Sequence, residues 1–481
     1  MNVPDLSLSE ADGKHAGVGV PLPTVHPPSP GEVEVRAFGS LDELTPFAET
    51  LDRLNLEARR PSPFAALPYI RAFAASDEYD DGSYRPLLLV AFAGGQPIGW
   101  VPLRRRQVKT AGVTSTLIEF LVAHDNERPE LIAGPADEER CAAAFLDHLV
   151  RHERGWSHIE LIEQDAASPL AKVAEHVPGF WVRRFENNPN GTIQVKWQNG
   201  GEYFRALSKN FRKALRNGIN RLFAQGKIEF VSSWDTEATN RLLDIHLEIE
   251  GRSWKGEAAA GISRHQRRVA FFRSLLDPSQ PMKMSFRALL LDGVPIASEC
   301  NGDFHGAWYS FEGTYDESFY DYSPGHFLFL MSMREALAMG ARSVNLLNNY
   351  AYAKQRFLAD ITPTAAVQIY RPATLPWTKA RLGDLKRRLF GKPTGQADVA
   401  YNLAKPRAEE GAEGAEATAA LPDRSKSRAF AAEALASCAS KLERLDGAAL
   451  LEMIRDPAGA KPKGGGKAKG ASGEAATDGE R

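Results

Sequence analysis

Cysteine is scarce. Only Cys141, Cys300 and Cys438 occur in 481 residues, widely spaced and odd in number. That excludes a disulfide framework and a cysteine-based metal site, and it fits a reducing compartment. The eleven histidines are scattered along the chain, and no metal is expected. An excess of one charge is missing as well: 59 basic against 61 acidic residues leave a net charge of −2. No global field draws the molecule to nucleic acid or membrane, so such a partner would need a local patch. No run of about 18 apolar residues exists, which excludes an ordinary transmembrane helix. The opening MNVPDLSLSEADGKHAG lacks the basic-then-apolar order of a signal peptide. A cytoplasmic location is expected.

What is present is ordinary for a globular chain, with 43% hydrophobic and 25% charged residues. Residues 1–32 are rich in Pro, Gly and Ser and read as a disordered leader. Residues 395–481 are rich in Ala, Gly, Glu and Lys and read as a mostly disordered tail. One exception lies at 428–454, where Phe430, Leu435, Leu442, Leu445, Leu450 and Met453 could line an amphipathic helix. A fraying Ala-rich helix without a partner is the favoured reading there.

Between the ends, two passages resemble each other. In each, an apolar run enters a turn suited to a tight hairpin, Gly94-Gly95 or Asp292-Gly293. Each is followed by a helix, a glycine stop and an alternating strand: Glu138–Arg154 into Gly155, and Phe327–Met339 into Gly340. Two features recurring in the same order imply an internal duplication.

The half-repeat has the order of the GNAT core, and from about residue 35 to 372 the chain resembles the CelD-like acetyltransferases of exopolysaccharide production. More distantly it resembles the Fem-type aminoacyl transferases, which carry paired GNAT domains. The stretches that carry the likeness are 62–73, 207–227, 246–256, 291–298, 313–328 and 349–357. The chain departs from the family pattern where Asn345 and Asn348-Asn349 stand in place of Asp followed by Gly. It also lacks the Gln/Arg-x-x-Gly-x-Gly loop of better-known GNAT enzymes.

The resemblance implies an α/β (α+β) fold with tandem GNAT-like domains, each a mixed central sheet flanked by helices. The divisions would be a leader at 1–32, domains at 33–195 and 196–372, a basic amphipathic helix at 373–394 and the tail from 395. It also implies an N- or O-acyltransferase using acetyl-CoA or another acyl-CoA, acting on a sugar or amino sugar in exopolysaccharide or cellulose assembly. A Fem-like transfer from aminoacyl-tRNA and a non-catalytic GNAT-fold adaptor are the alternatives.

Several residues are candidates for the chemistry. Ser323, Pro324, Gly325 and His326 open an apolar helix, with Ser at N-cap and Pro at the first position. Free N–H groups there would suit the donor's phosphates; a plain helix-start signal is the other reading. Asp316, Tyr315 and Glu299 are the catalytic candidates, with a turn-forming Asp and a half-buried Tyr as the alternative. Arg205, Lys209, Arg212, Lys213 and Arg216 form one face of a helix wound over 204–222, open to an anionic ligand or merely solvated. Sequence-specific nucleic-acid binding is not expected, because aromatic interleaving is absent. Trp254 could wall an acceptor pocket or simply pack. Tyr350, Tyr352, Lys354 and Arg356 would share one face of an extended segment and hold an anionic acceptor. The first half is acidic at the matching place, so only the second half should be active. Residues 379–392 should dock as a surface helix in preference to touching a membrane.

Overall fold

The computed structural model describes residues 33–76, 84–122, 127–257, 261–348, 351–390 and 424–454. The expected leader lies outside the described residues, as do 395–423 and 455–481 of the tail.

The strands are β1 (Glu34–Phe38), β2 (Tyr84–Ala93), β3 (Gln96–Thr110), β4 (Val113–Phe120), β5 (Ile132–Ala133), β6 (Trp156–Asp165), β7 (Trp181–Gln194), β8 (Ile228–Ser232), β9 (Lys283–Leu291), β10 (Val294–Phe304), β11 (Ala307–Tyr315), β12 (Ser343–Asn348), β13 (Asp360–Tyr370) and β14 (Glu443–Asp446). The helices are α1 (Ala48–Glu57), α2 (Leu67–Ser76), α3 (Glu138–Arg151), α4 (Pro169–Val173), α5 (Gly200–Ala206), α6 (Lys209–Phe223), α7 (Thr236–Glu250), α8 (Trp254–Glu257), α9 (Gln266–Leu275), α10 (Pro324–Ala338), α11 (Ala351–Arg356), α12 (Leu375–Phe390), α13 (Ser425–Ala436) and α14 (Gly447–Ile454).

All strands join one sheet in the order β1-β2-β3-β4-β6-β13-β7-β12-β11-β10-β9-β8-β14, with β5 against β3. The two expected hairpins are β2–β3 and β9–β10. Their turns hold positive φ at both central residues: 54° and 79° at Gly94 and Gly95, 48° and 78° at Asp292 and Gly293. Leu87 to Ala91 in β2 are wholly buried, so a continuous apolar run, not an alternating one, makes that strand.

Each half also holds one parallel pair bridged by a helix: β4–α3–β6 and β11–α10–β12. The second strand of each pair ends in a bulge around a left-handed residue, Glu163 (φ 57°) or Leu347 (φ 58°). The duplication therefore extends to a backbone detail.

The halves are not separate bodies. β13, from the end of the second half, lies between β6 and β7, while β7, from the first, pairs with β12. The sheet thus crosses the boundary expected at 195/196. One apolar cluster joins α1 and α2 to α7 and α9, with Phe64 edge-on to Tyr309 at 5.5 Å and Tyr69 edge-on to Phe271 at 5.4 Å. The opposite faces are covered by α3 and α4 in the first half, and by α5, α6, α10 and α14 in the second.

The unpartnered reading of 428–454 is corrected. α13 buries Ala431 and Leu435, β14 pairs with β8, and α14 buries Leu450, Met453 and Ile454. These apolar groups repay the ordering of this stretch.

Candidate active site

The second parallel pair opens like a V. β11 and β12 pair only from Ala307–Ser343 to Tyr309–Asn345. β11 runs on to Tyr315, and beyond Tyr309 its edge toward β12 has no strand partner among the described residues. The N-terminus of α10 stands at this opening: a β-carbon added at Gly325 would lie 3.7 Å from the Tyr315 ring. Ser323 is the N-cap but takes a left-handed conformation (φ 53°, ψ 47°), and its side chain makes no cap hydrogen bond. Pro324 occupies the first turn, which holds no acidic residue. The His326 N–H donates to the Ser323 carbonyl at 3.1 Å, so the helix dipole and the Gly325 N–H are what this end offers an external anion.

One cation, Arg356, is placed near that end. Phe211 of α6 packs edge-on to His326 at 5.8 Å, and the Arg356 guanidinium lies over the Phe211 ring at 4.2 Å. Lys209 and Lys213 of α6 are exposed. Burial, together with Arg356, pushes the His326 imidazole down to about 4, so it is neutral near pH 7. Burial, with Glu317 and Tyr320, pushes the Tyr315 hydroxyl up to about 12. It keeps its proton and makes no hydrogen bond among the described residues. The Trp254 backbone N–H donates to Glu317 at 3.2 Å, and its ring is exposed, as is that of Tyr320. Of the sequence candidates, the structure brings together Tyr315, Ser323, Pro324, Gly325, His326, Arg356 and Trp254.

Others are placed differently. Asp316 is buried and clamped by Arg252 at 2.7 Å and Arg424 at 2.9 Å, and it caps the turn at Ser318. Burial raises its pKa, but the ion pairs and Ser318 outweigh this and hold the carboxyl low. It is an ionised clamp and a weak base, which corrects the catalytic reading. Glu299 accepts from Ser310, Ser332 and Asn301 at 2.7–2.9 Å between the sheet and α10. That satisfied internal position likewise corrects its candidacy.

The single basic face over 204–222 is broken. The chain leaves α5 at Leu207 and restarts at Ser208, whose hydroxyl caps α6. Arg212 donates to the Arg205 carbonyl, and Arg216 donates to Ile454 at 3.1 Å, fastening α14. The segment 351–356 is helical, not extended, so the two-residue period does not apply. Lys354 is buried against Gly191 and donates to the Leu347 carbonyl at 2.7 Å and the Asn348 carbonyl at 2.5 Å. It caps the β12 bulge instead of facing an acceptor. Tyr350 lies outside the described residues, and Tyr352 is placed only as part of α11.

Sequence reasoning missed Glu127. This buried carboxylate of the first half accepts from Asn190 and Asn345 of the inter-half strands and pairs with Arg128 at 3.2 Å. A carboxylate thus reaches Asn345, the position at which the resemblance implied an Asp. The first half's own V is closed by charge. Arg60 pairs with Glu130 at 2.8 Å and Asp165 at 2.7 Å around a cavity of about 80 Å³, and α3 begins with Glu138 and Glu139. His148 and His152 stand one turn apart on α3, a spacing that sequence reasoning passed over. Among the described residues no group of His, Cys, Asp and Glu could hold a metal ion.

Residues 209–355 match the family model of the acetyltransferase (GNAT) domain, the stretch that contains the open V and α10. The chain is a mixed α/β protein built on one large sheet flanked by helices, and its second half carries the match to that domain. It is similar to the crystal structure of FemX (10% identity, 66% of this chain and 95% of that chain, TM-score 0.46). It is also similar to a tandem GNAT protein from the clavulanic acid biosynthesis pathway (11% identity, 71% of this chain and 100% of that chain, TM-score 0.40). No curated protein sequence matches it.

Proposed function

We propose that the chain is an acyl-CoA-dependent N- or O-acyltransferase whose second half binds the donor and whose acceptor is a sugar or amino sugar of exopolysaccharide assembly. One observation carries the donor site: the carboxylate-free N-terminus of α10 opens beside protonated Tyr315 at the mouth of the splayed β11–β12 pair. Acetyl-CoA or a longer acyl-CoA supplies the activated acyl group. The N–H group of Gly325 would hold its phosphates. The open β11 edge offers backbone groups to its amide arm. Tyr315 would give its proton to the departing thiolate. Trp254 and Tyr320 would wall the acceptor.

The broken basic face, with Arg216 engaged by α14, favours a thioester donor over a tRNA-borne one. The acceptor class rests on the likeness to the CelD-like family. Thiol release from acetyl-CoA, followed across a panel of amino sugars and sugars, tests the proposal. Turnover with at least one such acceptor, lost in Tyr315→Phe, is expected. Stabilisation by aminoacyl-tRNA with none by any acyl-CoA would contradict it.

A further inference from the structure

α12 is fastened to the first half by one side only. Pro376 is buried, Asp384 meets Arg183 at 3.6 Å, and Arg381 lies over Trp181 at 5.3 Å. Lys379, Ala380 and Gly383 roof a groove of about 480 Å³ against His158, Tyr370 and Arg106. The helix is therefore docked, as its sequence suggested, yet its leucines are not what docks it. Leu382, Leu385 and Leu389 are 59%, 53% and 69% exposed. At 3.6 residues per turn these three fall within about 60° of one another, on the side opposite Ala380 and Gly383. Arg381 borders the stripe on one side, and Lys379 and Lys386 border it on the other.

We infer that this face of α12 lies on an anionic lipid surface. Three exposed leucines in one row, bordered on one side by the exposed Lys379 and Lys386, match what an interfacial helix requires. The leucines enter the acyl boundary while the flanking cations reach back to the headgroups. Charge complementarity favours lipid over a second copy of the chain. Leu375–Phe390 carries Lys379, Arg381, Lys386, Arg387 and Arg388 against one acid, Asp384, and that acid is tied to Arg183. Two such faces would repel each other. Each cation of this helix near an anionic surface adds to binding.

Co-sedimentation of the full chain with phosphatidylcholine vesicles, with and without phosphatidylglycerol, tests this. Binding is expected only with phosphatidylglycerol and should weaken as salt rises. The variant L382S/L385S/L389S should lose binding by about tenfold or more, and Lys379→Ser with Lys386→Ser should weaken it several-fold. Both variants should melt like wild type, since the altered groups are exposed. Absence of wild-type binding to the anionic vesicles would overturn the inference. So would equal binding by the leucine variant, or self-association through this face without vesicle binding.

Discussion

Tyr315 and Lys354 show how burial moves an acid and a base in opposite directions. Tyr315 keeps its proton throughout the working range, so it can serve as an acid but not as a base. Tyr315→Phe is expected to lower kcat by about a hundredfold or more and leave donor affinity nearly unchanged, measured by steady-state kinetics beside calorimetry. An equal loss in affinity would place the ring in binding. Lys354 has its pKa pushed down to about 7, chiefly by burial, against roughly 10.4 in an unfolded chain. Between those values the unfolded state holds the extra proton, so stability rises with pH; below about 7 both states are charged and the full burial cost remains. Wild type should therefore gain stability over Lys354→Met as pH rises from about 7 to 10, in urea unfolding at several pH values. A pH-independent difference would show that the amine is solvated. The sequence reading gave Lys354 an anionic acceptor to hold, because nothing in the residues after a strand shows that a bulge will turn two carbonyls toward it.

Elements were legible wherever a local rule decides them. Gly94-Gly95 and Asp292-Gly293 fix their hairpins, and Ser323-Pro324 fixes the start of α10. Legibility failed where partners are far away in sequence. The break between α5 and α6 is set by Ser208 capping and by packing of Phe204 and Leu207, neither visible in a helical wheel. The 424–454 segment reads as weak because its partners, β8, α5 and α7, lie about two hundred residues upstream. A chain ending near residue 400 loses the burial of Leu435, Leu450, Met453 and Ile454 and frees Asp316 from Arg424. At about 1.5–3 kcal/mol for each large side chain, less the ordering entropy regained, it should melt several degrees lower. Calorimetric melting that is unchanged would show the segment to be dispensable. At α10 the space beside Gly325 admits one more carbon, since the Tyr315 ring stands at 3.7 Å. Gly325→Ala should bind donor nearly as well as wild type, whereas the branched Gly325→Val should crowd the ligand.

At the scale of the molecule, the proposed function assigns binding to the second half and gives the first a supporting part. Both halves keep the parallel pair, the bridging helix and the terminal bulge. Only the second keeps a helix start free of acids in its first turn. The first lends Glu127 and β7 to its neighbour, an exchange that no sequence period announces, because strand order is decided by long-range pairing. The sequence did carry the asymmetry, in the acids at 138–139 and 163–165 against none at 323–326. The most direct measurement is isothermal titration of the full chain with acetyl-CoA. The expected result is a single site per chain, retained in Gly325→Ala and weakened by about tenfold or more in a folded Gly325→Val. Two sites per chain, or unchanged affinity in the valine variant, would contradict donor binding at the start of α10.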